Sequence, residues 1–386
     1  MNFTESEERT ALRQAVYELG TKYGHEYYMK LARSGGHTNE LWDEAGKLGY
    51  MGVAVPEAYG GGGGNIGDLA AVCEEFCAAG TPLLLMVVSP AICGTVIARY
   101  GTDAQKQRWL PRFANGEVRM AFAITEPDAG SNSHKITTTA RRDGDDWILS
   151  GQKVFISGVD ESEAVLVVGR SEDAKTGKLK PALFIVPTDA PGFEAKQIEM
   201  DIISADKQFG LFFDDIRLPA DALVGENTDT ALLQLFAGLN PERIMGASFS
   251  LGLARLALAK ATEYAKSRSV WGAPIGSHQG IAHPLAQIKI ELELARLMTQ
   301  KAAALYDAGD DLGAGEAANM AKYAAAEVAI RAVDQAVHTH GGNGFATEYG
   351  LGGMIAAVRV GRVAPVSREM ILNFVAQHSL GLPKSY

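Results

Sequence analysis

Apolar positions in the first ~115 residues recur at three- and four-residue intervals, the spacing that gathers them on one face of a helix. The pattern predicts helices over Glu5–Gly24, Asn39–Leu48, Ile66–Ala79, Ser89–Tyr100 and Asp103–Phe113. Thr4-Glu-Ser-Glu7 fits a capping box at the first of these, with a hydroxyl facing the amide three residues on and a glutamate reaching back. From Met120 to Val224 the pattern changes to short apolar runs: Trp147–Leu149, Ala164–Val168 and Leu183–Val186. Turns such as Asp143-Gly-Asp-Asp146 and Thr188-Asp-Ala-Pro-Gly192 separate them, and this spacing predicts an all-β domain. Helical periodicity returns after Asn227, over Ala231–Ser267 with an interruption or fresh start near Pro241, then His278–Ala308, Ala314–Thr339 and Ser367–Ser379. Pro284 marks a first turn or a kink. The last helices are rich in Ala and Leu, as close packing in a bundle requires. Helices, then strands, then helices predict segregated α+β domains: a helical one over 1–118, a β-domain over 119–228 and a helical bundle over 229–386.

Charge and composition narrow the function. The formal net charge of -10 gives no electrostatic support to nucleic-acid binding. The longest unbroken apolar run, near Leu83–Val88, is far short of a membrane span, so no membrane partner is expected. The acidic start Met1-Asn-Phe-Thr-Glu-Ser-Glu-Glu8 lacks the apolar core of a secretory signal, which makes a cytoplasmic location the expectation. Cys73, Cys77 and Cys93 form neither a disulfide framework nor a metal-ligand cluster and read as small buried apolar residues. Gly62-x-Gly64-x-x-Gly67 satisfies a dinucleotide-binding spacing. It comes from a run of five glycines after a proline-containing loop, with no parallel-sheet pattern following, and reads as a flexible surface loop.

The motifs are more specific. Leu48-Gly-Tyr-Met-Gly-Val-Ala-Val-Pro-Glu57 is followed by Ala123-Ile-Thr-Glu-Pro-Asp-Ala-Gly-Ser131, Gly151-Gln-Lys-Val-Phe-Ile-Ser157 and Phe213-Asp-Asp-Ile-Arg-Leu-Pro219. Arg268-x-x-Trp-Gly272 with His278-Gln279, and His340-Gly-Gly-Asn-Gly-Phe345, complete the set. Six segments in this order resemble the acyl-CoA dehydrogenase family across nearly the whole chain. The resemblance implies FAD as cofactor, an acyl-CoA thioester as substrate, an electron-transfer flavoprotein as acceptor, and a homo-oligomer, with a tetramer expected. It implies that Phe122, Ile124 and Thr125 meet the flavin ring, with Phe155 and Ser157 where relatives carry Trp and Thr. Ser131 matches a position at the flavin or CoA phosphates. Arg268, His278 and Gln279, and His338, Gly341 and Gly342, match segments that reach the cofactor from a neighbouring subunit. Ser367 and Glu369 match flavin contacts at the last helix.

The family reaction removes an α-proton while a hydride leaves the β-carbon, and it needs a carboxylate in a dry pocket. In many relatives that glutamate precedes the last helix, where this chain carries Pro365. A second group carries it immediately before an arginine in the helix that opens the bundle. Asn240-Pro-Glu-Arg243 matches there, which makes Glu242 the expected base, with Asn240 and Arg243 expected near the base or CoA. Pro365 also lacks the N–H that relatives direct at the thioester carbonyl; losing such a donor costs about 10²–10³ in rate. The Val366 N–H is the expected substitute. The absent donor motivates one alternative, a weak or inactive flavin- and CoA-binding subunit of a heteromeric complex; an enoyl-CoA reductase or acyl-CoA oxidase on the same fold is a further alternative that the sequence does not separate.

Overall fold

The computed structural model describes residues 4–172, 176–225 and 227–384. Met1–Phe3 and Ser385–Tyr386, which the expected outer domains include, lie outside the described residues. Helix α1 spans Glu7–Ser34 and is capped by Ser6, whose Oγ accepts the Arg9 N–H at 3.2 Å. The cap therefore falls two residues beyond the expected Thr4. Glu5 is held outside the helix by a fork with Arg13, at 2.7 and 2.9 Å. The helix also continues past Gly24, which bends it (φ 78°, ψ 170°) without ending it. Helices α2 (Asn39–Lys47) and α3 (Ile66–Ala78) follow, the latter opened by a reciprocal Asn65–Asp68 capping box.

The glycine run before α3 is fastened, not flexible. Gly62, Gly63 and Gly64 donate to the carbonyls of Gly52, Val55 and Val53 at 2.9–3.0 Å. A Cβ on Gly61 would stand 2.1 Å from the Val55 carbonyl oxygen, so the close approach requires glycine. These amides are engaged internally and do not face a phosphate.

Helices α4 (Leu85–Val88) and α5 (Thr95–Tyr100) join through a π-helical turn, Ser89–Gly94, and α6 covers Asp103–Ala114. Ser89, expected to begin a helix, sits inside this one because its hydroxyl accepts the Met120 N–H at 3.0 Å. Met120 opens the sheet: β1 (Met120–Ala123), β2 (Thr139–Asp143), β3 (Asp146–Ser157), β4 (Ala164–Glu172), β5 (Leu179–Pro187), β6 (Phe193–Ile198) and β7 (Gln208–Leu218). β1 and β2 both run parallel to β4, end to end along it, while β5 pairs antiparallel on its other side. From β2 the order continues β3, β7, β6, all antiparallel. Gln105 of α6 fastens the sheet to the helical domain, donating to the Asp221 and Leu223 carbonyls at 2.8 and 2.7 Å.

Helix α7 (Ala231–Ser267) is followed by a two-stranded hairpin, β8 (Ser269–Val270) and β9 (Ala273–Pro274), then α8 (Gln279–Asp307) and α9 (Asp311–His340). Short helices α10 (Met354–Ala357), α11 (Val360–Val363) and α12 (Arg368–Phe374) return along α9. One continuous core runs from α1 and α3 through α7 to α8 and α9. The α+β architecture is the expected one.

Helix α7 corrects two expectations. By length and composition it is apolar enough to cross a membrane, with a mean hydropathy of 1.3 over its best window. The search for unbroken apolar runs missed it because Gln234, Asn240, Glu242 and Arg243 interrupt the sequence. Within this fold 61% of that window is buried, as in the central helix of a bundle. Nor does Pro241 interrupt it. A proline there supplies no N–H to the carbonyl four residues back, that of Ala237. The Tyr306 hydroxyl of α8 donates to that oxygen at 3.1 Å, while Asn240 ties the same turn to the Asp311 carbonyl at 3.0 Å.

Tyr306→Phe is expected to strand the Ala237 carbonyl in the core. Denaturant unfolding should show a loss of about 1–3 kcal/mol, the cost of one unsatisfied buried group.

Candidate active site

Three positions on one face of α7 define a site. Gly238, Glu242 and Gly246 stand one turn apart. A Cβ on Gly238 would lie 3.0 and 3.1 Å from Ile92 and Val96, so α7 is closely packed there against the helix carrying the π turn. A Cβ on Gly246 would lie 3.5 Å from Cδ of Pro365. Glu242 therefore sits between the 85–100 helix and the turn before α12. Burial pushes its carboxyl up to about 7, although Arg243 and Lys322 pull the other way. Cys93 of the π turn is within electrostatic reach of Glu242, and burial pushes its thiol well up.

The neighbours of Glu242 differ in what they offer. Arg243 is turned into the protein: its guanidinium donates to the Leu239 carbonyl (3.0 Å), Asn240 Oδ1 (2.8 Å) and Asn319 Oδ1 (3.0 Å). Asn240 and Arg243 thus brace the turn bearing Glu242, and of the two expected surroundings, the base or CoA, the protein contacts place them at Glu242. Lys322 of α9 is 2% exposed and donates a short hydrogen bond to the Val366 carbonyl. Burial lowers it to about 8, with Glu242 opposing that shift. Pro365 is joined to Ala364 by a cis peptide bond. Among the described residues the Val366 N–H meets no acceptor. The Ser367 hydroxyl caps α12 by accepting the Met370 N–H at 3.3 Å, and Glu369 is exposed on the first turn beyond it.

A second group lies on the sheet. Lys153, fully buried on β3, donates to the Ile124 carbonyl (3.0 Å) and to Glu126 Oε1 (2.9 Å). Glu126 also accepts the Thr137 and Thr138 N–H groups at 2.6 and 2.9 Å. The carboxyl is buried, which would raise it, yet these bonds hold it down at about 2. Beside this pair the Val154 N–H donates to the Thr125 carbonyl at 3.0 Å. The β3–β7 register breaks between Lys153 and Ile156, and Phe155 is thrown outward at φ 58°, 57% exposed. A bulky side chain in that backbone region costs of order 1–3 kcal/mol, and its exposed ring offers a face to a planar ligand. Phe122 and Ile124 are partly buried against the adjoining core, and the Thr125 hydroxyl meets no partner among the described residues. An uncovered ring and an unpartnered hydroxyl on one buried anchor fit an isoalloxazine. The Ser157 hydroxyl forms a reciprocal pair with Gln208, at 2.9 and 3.1 Å. Ser131 is exposed on the loop between β1 and β2.

The remaining expected residues gather elsewhere. Arg268, His278 and Gln279 are exposed around the β8–β9 hairpin, whose Trp271 is 92% exposed. His338, Gly341 and Gly342 are exposed at the end of α9. Tyr264 of α7 stacks on His340 at 4.2 Å and accepts from Asn343 at 3.1 Å, which places both sets at one end of the bundle. Along α7 that end is roughly 40 Å from Glu242.

The N-terminal, middle and C-terminal domain signatures of acyl-CoA dehydrogenases match residues 6–117, 121–216 and 233–380. Acyl-CoA dehydrogenase FadE12 of Mycobacterium tuberculosis is 67% identical over 100% of this chain and 99% of its own. The chain belongs to the acyl-CoA dehydrogenase family. It is an enzyme of that class, whose reaction is flavin-dependent dehydrogenation of an acyl-CoA. Among solved structures, a glutaryl-coenzyme A dehydrogenase in complex with glutaryl-CoA matches with a TM-score of 0.94 at 28% identity, covering 100% of this chain and 98% of that one. Butyryl-CoA dehydrogenase from Megasphaera elsdenii matches with a TM-score of 0.91 at 28% identity, covering 98% and 100%.

Sequence reasoning missed Lys322, the Glu126–Lys153 pair and Gln208. Lys322 had a signal: it is the one cation in Ala317–Ala326, a stretch otherwise mostly alanine.

Lys153→Met is expected to leave Glu126 buried and unpaired, costing about 3–5 kcal/mol in denaturant unfolding. Glu126 titrates below the ordinary carboxylate range when folded. Its stabilisation is therefore complete at neutral pH and should be lost as pH falls from about 4.5 through about 2. A pH series of melting temperatures should show this acid loss in the parent and a weaker one in Glu126→Gln.

Proposed function

We propose that the chain binds FAD and α,β-dehydrogenates an acyl-CoA thioester to the trans-2-enoyl-CoA, with Glu242 as the base. The observation that carries this reading is the buried carboxyl of Glu242, raised to about 7, on the face of α7 that approaches Pro365 at Gly246 and within electrostatic reach of Lys322. Such a group is half ionised near neutral pH and basic enough to take an acidic carbon-bound proton. Its carboxylate accepts the α-proton. Arg243, braced by Asn240 and Asn319, keeps the Glu242 turn in place. The Val366 N–H, free of protein acceptors, is the donor proposed for the thioester oxygen in place of the amide that Pro365 lacks. Phe155 and the Thr125 hydroxyl, held by the Glu126–Lys153 anchor, would orient the flavin, with Phe122, Ile124, Ser131 and Ser157 around them. Bound FAD supplies the hydride acceptor, and an electron-transfer flavoprotein is proposed to receive the electrons.

The proposed state is a homo-oligomer, and the position of the Arg268 and Gly341 groups at the end of the bundle remote from Glu242 supports it, since a second copy could present them to the cofactor. Ile290, Leu294 and Leu297, exposed at helical spacing on α8, form an apolar stripe suited to a second copy. A tetramer is the proposed assembly.

Anaerobic addition of butyryl-, isovaleryl-, octanoyl- or palmitoyl-CoA is expected to bleach the flavin of the purified protein. Glu242→Gln should slow bleaching by about 10²–10⁴-fold, and an unchanged rate would rule Glu242 out as base. Because the base must be ionised, the rate should fall as pH drops through about 7. Bound flavin that none of the four thioesters reduces would favour the inactive-subunit reading. Leu294→Asp should lower the mass in light scattering and release flavin together; a monomer that keeps its flavin would refute the shared site.

A further inference from the structure

Lys322 is an unusual residue for its place. It lies on α9 with Ala318, Ala321, Ala325 and Ala326, all buried, around it along the helix. An ammonium taken out of water is unfavourable unless paired, so packing alone would favour an apolar side chain here. Its two partners are both parts of the site: the Val366 carbonyl, to which it donates, and Glu242, with which its charge interacts.

We propose that Lys322 is a positioning residue of the active site, whose single ammonium holds the 364–367 turn against α9 and holds Glu242 in its carboxylate form. The inference rests on the reading of Glu242 as base.

The surroundings leave Lys322 in this role. The charged and titratable groups facing Glu242 are Arg243 from its own helix, Lys322 from α9 and the Cys93 thiol from the π turn. Glu369 of α12 acts on Lys322 from the far side. Arg243 already donates to three protein oxygens, and burial keeps Cys93 a neutral thiol. Lys322 is the cation that hydrogen-bonds the turn and also acts on Glu242 through its charge. The tether also fixes a peptide plane. In a trans peptide the carbonyl and the following N–H point opposite ways, so the Ser367 N–H is directed away from Lys322. Two further clamps hold the same segment to α9: Arg362 forks onto Glu327 at 2.7 Å, and Arg359 pairs with Asp334 at 3.3 Å. These clamps lie outside the site and would keep the segment docked when Lys322 is replaced.

The test is an infrared titration of the holoenzyme, with the Glu242 carboxyl band identified by its loss in Glu242→Gln. Lys322→Met should raise the proton affinity of Glu242 by at least about tenfold, as expected when an opposite charge is removed from its vicinity. Lys322→Arg should restore most of it. Lys322→Gln, neutral but still a donor, should behave as Met does and so assign the effect to charge. In step, the acid limb of flavin reduction by the most active of the four thioesters should move to higher pH in Lys322→Met, with the rate recovering at alkaline pH. An unmoved Glu242 band in both neutral variants overturns the proposal, as does a rate lowered equally at every pH. A shifted band with Glu242→Gln still reducing flavin at the parent rate would remove Glu242 as base while leaving its coupling to Lys322 intact.

Discussion

A carboxyl group removed from water keeps its proton more tightly, and the architecture around α7 turns on that fact. The helix is buried along most of its length against α3, α8 and α9. The same burial that stabilises the core would leave Glu242 fully protonated if nothing opposed it. Arg243 and Lys322 oppose it, and the balance falls near neutrality. Neither cation is free: one is braced by amides and carbonyls, the other by a backbone oxygen of the turn across the gap. Glu242, its counter-charges and the turn before α12 are thus one coupled unit.

A second coupled unit lies on the sheet and uses a different device. There a fully paired carboxylate and ammonium are buried behind the chain, and the exposed residues in front of them have little polar capacity of their own. The buried pair fixes the backbone through carbonyls and amides, and the bulge at Phe155 projects a ring from that fixed frame. Rigid support behind and open surface in front is the arrangement a flat cofactor requires.

Much of this was legible in the sequence, and the exceptions have physical causes. Strands, bundle helices and the family motifs followed from periodicity and spacing, because each is a local pattern or a spaced identity. The Thr4 cap was misplaced because Arg13 draws Glu5 aside, a contact eight residues long. Pro241 read as a break because the partner of the orphaned carbonyl, Tyr306, lies 69 residues away. The glycine run read as flexible because its acceptors, the carbonyls of residues 52–55, have no side-chain signature. Lys322 and the Glu126–Lys153 pair were invisible for the same reason: a buried charge looks like any surface charge until its partner is placed beside it.

The close approach of Gly246 and Pro365 has one more implication. The family resemblance offers two locations for the catalytic carboxylate, one on the helix that opens the bundle and one just before the last helix. In this chain a side-chain carbon added at Gly246, one turn beyond Glu242, would come within van der Waals distance of the Pro365 ring. Two routes of the polypeptide arrive at nearly the same point in space. A side chain from either could occupy it, but not both without crowding or like-charge repulsion. A small residue on one side and a rigid ring on the other keep that point open for Glu242. The position of the acid in the gene is then a matter of history, and its position in the molecule is the property under constraint.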